Sequence, residues 1–357
     1  MLRFHLGFPS PSIADLKMLD NAALAQKSEE LGFDVIWHSN ERFFREMFVR
    51  MASSAMATTR ITLGGAVVEP FAVHPVLTAQ SIASVDELSG GRTTLAIGAG
   101  GSGFQMMGIK RQHSARALRE AYTILKPLLS GEEVTFEGEL IQAYKARLQF
   151  KPVGPVPLWI ATRGDLTLET SGEYAEAIML ATYAHPDGIG KALELIHIGA
   201  KKAGRSLEKV RILSRVDTCV HVDPKIAYDG TRHMIARILW GSYPDKSFIN
   251  RAGLNLPKDI EELLVKKDNS LVPQIARLIP DNFVDAFCWA GTPAMVADRI
   301  VAIARADGIQ EFGFWVLCAQ GQTREEAMEL IAQDVIPRVQ LALNDKVKKE
   351  SYEQSTL

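Results

Sequence analysis

"RITLGGAVVEPFAVHPVLTAQSIASVDELSGGRTTLAIGAG", residues 60–100, sets two short apolar runs around one amphipathic stretch. "RITLGGAVV" has the β-branched, apolar character of a buried strand. "HPVLTAQSIASVDELSGG" reads as a helix, with Pro75 in its first turn and glycines at its end. "TTLAIGAG" is a second strand, and it runs into a glycine-rich loop. Strand, helix and strand in that order make a parallel βαβ unit. One detail is odd. Gly64 and Gly65 sit beside an apolar run, and Glu69 and Pro70 follow directly. Glycine inside a strand marks a bulge or a close approach to the backbone.

The same alternation extends in both directions. Upstream, "LRFHLGF" and "DVIWH" read as strands, and "LKMLDNAALAQKSEELGF" and "FREMFVRMASSAMATT" as helices. Downstream, the helix "ARALREAYTILKPLLSG" leads into a polar alternating stretch at about 132–150, which predicts a hairpin insertion. "VPLWIAT", "EAIMLAT" and "KVRILSRVDTCVHV" are strands, and "EFGFWVL" is the last. Residues 241–290 break the rhythm and read as a larger, loosely helical insertion. "TPAMVADRIVAIARADGI" resumes it, with Thr292 as N-cap and Pro293 at the first helical position. Eight short apolar strands, mostly followed by helices, predict a (β/α)8 TIM barrel over 1–343 as one domain, with a solvated tail over 344–357. An open doubly wound sheet is the alternative. No GxGxxG follows the first strand, which argues against its dinucleotide-binding form.

Composition excludes several classes. The chain has 357 residues, 47% hydrophobic, and a formal charge of −2, so no basic field points to nucleic acid. No apolar run approaches the roughly 18 residues of a membrane span. The N-terminus lacks the ordered parts of a signal peptide. Cys219, Cys288 and Cys318 are far apart, with no CxxC, which predicts reduced core thiols, no metal site and a cytoplasmic protein.

In a barrel, function sits at the C-terminal ends of the strands. Those ends carry "WHSNERF", "AVVEP", "GAGGSG", "ATRGD" and "LATYAH". Over nearly the whole chain, the order of motifs resembles the luciferase-like flavin- and deazaflavin-dependent oxidoreductases. "ELGFDVIWHSNE", residues 60–101, "KPLLSGEEVTFEG", "PLWIATRGDLTLETSGEYAEAIMLA" and "AGTPAMVADRI" carry the likeness. The branch it is most similar to holds methylenetetrahydromethanopterin reductase and the phthiodiolone-type ketoreductases.

The resemblance implies hydride transfer between coenzyme F420 and a small organic substrate, either a ketone/alcohol pair or a pterin-like C1 carrier. An FMN-dependent monooxygenase is the first alternative, and a non-catalytic flavin-binding or sensor relative the second. It also implies a homodimer or higher homo-oligomer. In this family the bulge after the third strand holds a non-proline cis peptide against the flavin ring. The matching bond is Ala66–Val67, with Gly64 and Gly65 supplying backbone freedom; an ordinary trans bulge is the alternative. Gly98, Ala99, Gly100, Gly101 and Gly103 let backbone approach the cofactor. Thr162, Arg163 and Gly164 open a helix whose first amides can hold the cofactor phosphate. Asp165 would cap that helix instead if no phosphate binds there. Thr182 is a second phosphate-side contact.

Many relatives show Asp-His where this chain has Asn40 and Glu41, and Gln105 stands near a glutamate of some deazaflavin relatives. Asn40 can hydrogen-bond but cannot give an acidic proton. Glu41, Glu69 and His5 remain as acids. His38 and His74 read as packing or capping residues, and Trp315 as a core or pocket-lining aromatic. The polyglutamyl tail of F420 calls for basic residues on the rim, for which Arg42, Arg45, Lys110, Arg111 and Arg163 are candidates.

Overall fold

The computed structural model describes residues 2–100 and 103–344, and of Gln105 the backbone alone. Gly101 and residues 345–357 of the expected tail lie outside the described residues. The chain forms two compact units: His5–Ala181 with Lys191–Leu213, and Met1–Phe4 with Thr182–Gly190 and Ser214–Leu357.

The first unit holds strand β1 (Arg3–Gly7) from His5 onward, then β2 (Val35–Ser39), β3 (Thr62–Val68) and β4 (Thr93–Gly98). After them come the hairpin strands β5 (Val134–Glu137) and β6 (Gln142–Ala146), then β7 (Leu158–Thr162) and β8 (Ala177–Ala181). The order β1-β2-β3-β4-β7-β8 is parallel throughout, while β5 and β6 form the expected antiparallel pair. Helices α1 (Met18–Glu30), α2 (Met47–Ala57), α3 (Pro75–Ser89), α4 (Ser114–Leu129) and α5 (Asp165–Tyr174) connect the strands. α6 (Pro186–Lys202) follows β8.

The ends of α3 follow its sequence. His74 is the N-cap, its Nδ1 accepting from the Val76 amide at 3.2 Å, and Gly90 takes a left-handed C-cap at φ 70°. The other ring nitrogen of His74 bonds Gln142 O at 2.9 Å and ties α3 to the hairpin. Because a carbonyl only accepts, His74 is the Nε2–H tautomer.

Interior aromatics fill the space under β1, β2 and β7. Trp37 Nε1 donates to His5 Nδ1 at 3.0 Å, and Trp159 Nε1 to Thr94 Oγ1 at 2.8 Å. The two indoles meet edge to face with centroids 6.1 Å apart, a favoured aromatic arrangement.

The second unit contains β9 (Arg211–Val220) from Ser214 onward, α7 (Pro224–Ser242), α8 (Ser247–Arg251), α9 (Lys258–Leu264), α10 (Val272–Leu278) and α11 (Asp281–Phe287). It continues with β10 (Cys288–Gly291), α12 (Pro293–Asp307), β11 (Glu311–Val316) and α13 (Arg324–Leu330). β9 lies between β10 and β11. Residues 241–290 hold the short helices α8 to α11 and run into the short strand β10, which pairs with β9 from Cys288↔Asp217 to Gly291↔Val220. Four residues, "CWAG", are too few to show a period of two, so the sequence pattern gives no sign of this strand. Thr292 caps α12 and Pro293 opens it, as read from the sequence. Among the described residues, no helix is long and apolar enough to cross a membrane.

Candidate active site

The bulge lies where the glycines pointed. β3 keeps register with β4 through Ala66↔Ala96, then resumes at Val68↔Ile97, which leaves Val67 as the extra residue. The Ala66–Val67 peptide is cis. Val67 is half-buried between buried neighbours, so part of its side chain faces open space.

The glycines serve a different purpose from the one expected. Neither adopts a left-handed φ. A Cβ on Gly64 would stand 2.3 Å from Trp37 Cε3, and one on Gly65 would stand 2.7 Å from Met47 Cε. The backbone is bare there because an indole and a methionine press on it, not because a rare dihedral is needed. The close approach comes from the protein's own core.

Asn40 is joined to the bulge. Its amide donates to Ala66 O at 2.9 Å and its Nδ2 to Val67 O at 3.2 Å. Both carbonyls flanking the half-exposed side chain are thus held by one residue at the end of β2. Behind it, His38 is buried in a polar chain. Its Nδ1 lies 3.2 Å from Gly64 O and its Nε2 2.8 Å from Ser54 Oγ, and Asn21 Nδ2 donates to that Oγ at 3.0 Å. The carbonyl requires Nδ1–H, so Nε2 accepts from Ser54 and the ring is neutral.

Burial pushes His38 from its ordinary value of 6.5 down to about 3, helped by the charge of Arg50 and opposed by the Gly64 carbonyl. Below pH 6.5 the unfolded chain therefore binds a proton that the folded chain refuses. Stability is full above that pH and falls as pH drops toward 3, by about 1.4 kcal/mol per pH unit. Urea unfolding of the parent chain and His38→Gln should diverge by about 2–3 kcal/mol between pH 6.5 and 4.5, with the parent losing more. Parallel curves would place a charged histidine in the folded state.

Glu69 is buried and fully engaged. Its Oε2 accepts from the amides of Phe71 at 2.8 Å and Ala72 at 3.0 Å, and its Oε1 pairs with Arg42 Nη2 at 2.7 Å. The Arg42 guanidinium lies 3.7 Å above the Phe104 ring, and Phe71 meets that ring edge-on at 5.7 Å. Arg111 donates to Gly100 O at 2.7 Å. A Cβ on Gly100, whose φ is +69°, would touch Arg42 and Phe104 at 3.0 Å. The loops after β2, β3 and β4 are therefore fastened by two arginines, one carboxylate and two phenyl rings.

Of the rim cations, Arg42 and Arg111 spend their groups on this clasp, Arg45 donates to Ala14 O at 2.8 Å, and Lys110 is exposed. His5 is buried, accepting from Trp37 Nε1. Glu41 is half-buried beside Asn40. Trp315 is a core residue with Arg215 4.5 Å above its ring.

Gly98 ends β4 opposite Ala161. A Cβ there would lie 3.1 Å from Ala161 O and 3.2 Å from Val67, so this position keeps the space beside Val67 clear. Ala99 and Gly100 continue it, half-buried. At the end of β7, Thr162 Oγ1 accepts from the Gly164 amide at 3.3 Å. Gly164, not Asp165, is the N-cap of α5, and no side chain caps that end. Uncapped first-turn amides suit an anion. Thr182, in the second unit, has φ 80°, rare for a β-branched residue, and its buried Oγ1 has no hydrogen-bond partner among the described residues. Within the first unit, a half-exposed Val67 beside the bare backbone of Gly98 and an uncapped helix start fit a flavin-type ring with a phosphate on its chain.

The likeness to known proteins covers the same ground. The chain matches the luciferase-like monooxygenase family over residues 8–311. It belongs to that family. The 5,10-methylenetetrahydromethanopterin reductase of Methanolobus tindarius is 30% identical over 332 residues, 91% of this chain and 97% of the relative. That of Archaeoglobus fulgidus is 28% identical over 92% of this chain and 98% of its own.

The F420-dependent glucose-6-phosphate dehydrogenase of Nakamurella multipartita is 27% identical over 68% of this chain and 74% of its own. The solved coenzyme F420-dependent tetrahydromethanopterin reductase from Methanopyrus kandleri superposes with a TM-score of 0.81 at 25% identity, covering 95% of this chain and 99% of that one. The fold of this luciferase-like chain is thus the (β/α)8 barrel, and the doubly wound alternative falls away. Asn40 as the holder of two carbonyls, and Arg42 as the centre of the clasp, are the parts that motif reading missed. Only their place just after β2 hinted at them.

Proposed function

We propose that this chain transfers a hydride between coenzyme F420 and a small organic substrate, a ketone/alcohol pair or a pterin-like C1 carrier. The observation that carries this is likeness to F420-dependent reductases along nine-tenths or more of both chains. When bound, a deazaflavin gives or takes a hydride at the carbon that replaces N5 of a flavin, and it reacts slowly with oxygen. Val67 backs the ring, with Ala66 and Asn40 fixing its angle. Gly98, Ala99 and Gly100 admit the ring and its chain. Thr162, Arg163 and Gly164 hold the phosphate, and the Thr182 hydroxyl supports it. Asn40 and Glu69 act as positioning residues, since one carries no acidic proton and the other has both oxygens engaged. Glu41 is then the group that moves the substrate's proton. Residues 1–343 act as one barrel domain, in a cytoplasmic homodimer or larger homo-oligomer with no nucleic-acid or membrane partner.

Titration of the purified chain with F420 and with FMN tests this. F420 should bind at least tenfold more tightly, about 1.4 kcal/mol. Tighter FMN binding, with oxygen consumption once the flavin is reduced, would move the chain to the monooxygenase side. Arg163→Ala should weaken F420 by about 1.5–3 kcal/mol, as for a lost charge-assisted bond, and leave a phosphate-free deazariboflavin unaffected. Equal losses for both ligands would mean that Arg163 acts through the fold.

A further inference from the structure

Between the loop after β1 and the start of α2 lies a half-open pocket with at most 270 Å³ of empty space. Its polar lining is Ser10, Asn21, Arg45 and Arg50, and Ile13 and Phe44 are among its apolar walls. Arg50 is 5% exposed and Ser10 only 2%. Arg50 donates only to neutral acceptors, Asn21 Oδ1 at 3.1 Å and Ser39 O at 3.3 Å. Arg45 bonds the Ala14 carbonyl. No carboxylate among the described residues pairs with either guanidinium. The nearby Glu46 spends its Oε2 on the Val49 amide at 2.7 Å, as the cap of α2. The Ser10 Oγ, buried in this lining, has no hydrogen-bond partner among the described residues.

A buried cation is costly unless it is paired. Two guanidinium groups and an unpartnered hydroxyl around one small space, with no acid among the lining residues, form a donor set for an anion. We propose that this pocket binds a small oxyanion of the size of phosphate or acetate, at a site distinct from the one that holds the cofactor's phosphate. Burial and then the charge of Arg45 push Arg50 down to about 10, although the charge of Glu46 opposes them, and a bound anion would offset them further. Arg50 also holds the carbonyl of Ser39, the residue before Asn40. An anion here would therefore steady the end of β2, where the bulge is held.

The probes are sodium phosphate and sodium acetate, added to the full-length chain against sodium chloride at equal ionic strength. Thermal unfolding should shift upward and saturate with phosphate or acetate. Arg45→Gln, at the exposed rim, should weaken that affinity at least tenfold, and Ser10→Ala at least threefold. Ser10→Ala removes no hydrogen bond among the described residues, and Arg45→Gln gives up the exposed bond to Ala14 O. F420 affinity should be the same in Ser10→Ala as in the parent. An equal rise with chloride, no saturable rise, or unchanged affinity in both variants would overturn the proposal. So would a parallel loss of phosphate and F420 affinity in Ser10→Ala, because the pocket would then belong to the cofactor.

Discussion

Gly64→Ala is expected to destabilise the chain by about 3 kcal/mol or more, a large effect for one methyl group. The new Cβ would stand 2.3, 2.5 and 2.8 Å from Cε3, Cδ2 and Cζ3 of Trp37. These are far inside van der Waals contact, so the indole or the strand must move. The indole has nowhere to go. It is 1% exposed, its Nε1 donates to His5, and the Trp159 ring stands edge-on to it. The strand is equally fixed, because Trp37 and Gly64 are register partners in neighbouring central strands. Chemical denaturation of the single variants and of Gly64→Ala/Trp37→Leu measures the coupling. Trp37→Leu alone should cost about 3 kcal/mol or more from the lost indole, yet the double variant should cost much less than the sum. Additive losses, or a Gly64→Ala cost below about 1 kcal/mol, would show that the strand yields and that Gly64 answers to something else.

This case marks the boundary between what the sequence shows and what it hides. The strand–helix alternation is visible because buried parallel strands and amphipathic helices each impose a hydrophobic period. The caps of α3 and α12 are visible because they are local: His74-Pro75 and Thr292-Pro293 satisfy amides two or three residues away. The bulge is visible because glycine is unusual inside a strand. What made the glycines necessary is not visible, since Trp37 lies on another strand and nothing local shows which way its ring turns. The clasp of Arg42, Glu69 and Phe104 is hidden for the same reason, being assembled from three loops. The change from Asp-His to Asn40-Glu41 reads in sequence as the loss of an acid. In the structure Asn40 bonds the bulge twice, and the second bond, from Nδ2 to Val67 O, is one a carboxylate could not donate. Strand β10 was missed because four residues carry no period, and its pairing with β9 supplies what the pattern lacks.

Gly98→Val should separate the cofactor site from the fold. At Gly98 a single added carbon is already tight, 3.1 Å from Ala161 O and 3.2 Å from both Cβ and Cγ1 of Val67. The two further methyl groups of valine cannot enter the strand pair, where Gly98 faces Ala161. They must displace the Val67 side chain or occupy the space it faces. Val67 is the half-buried residue of the bulge, and Asn40 holds the carbonyls on either side of it. The backbone can therefore follow the side chain only by giving up those bonds. If Val67 backs the ring of F420, the variant should bind F420 about 100-fold more weakly, roughly 2.7 kcal/mol. A phosphate-free deazariboflavin should lose the same factor, because the damage lies at the ring and not at the helix that takes the phosphate. That is the opposite of the pattern expected for Arg163→Ala. The unfolding free energy should fall by only about 1–3 kcal/mol, the usual cost of overpacking, so the variant remains folded under assay conditions. Full F420 affinity in a folded Gly98→Val chain would remove Val67 from the cofactor site, and with it the reason for expecting hydride transfer at this end of the strands.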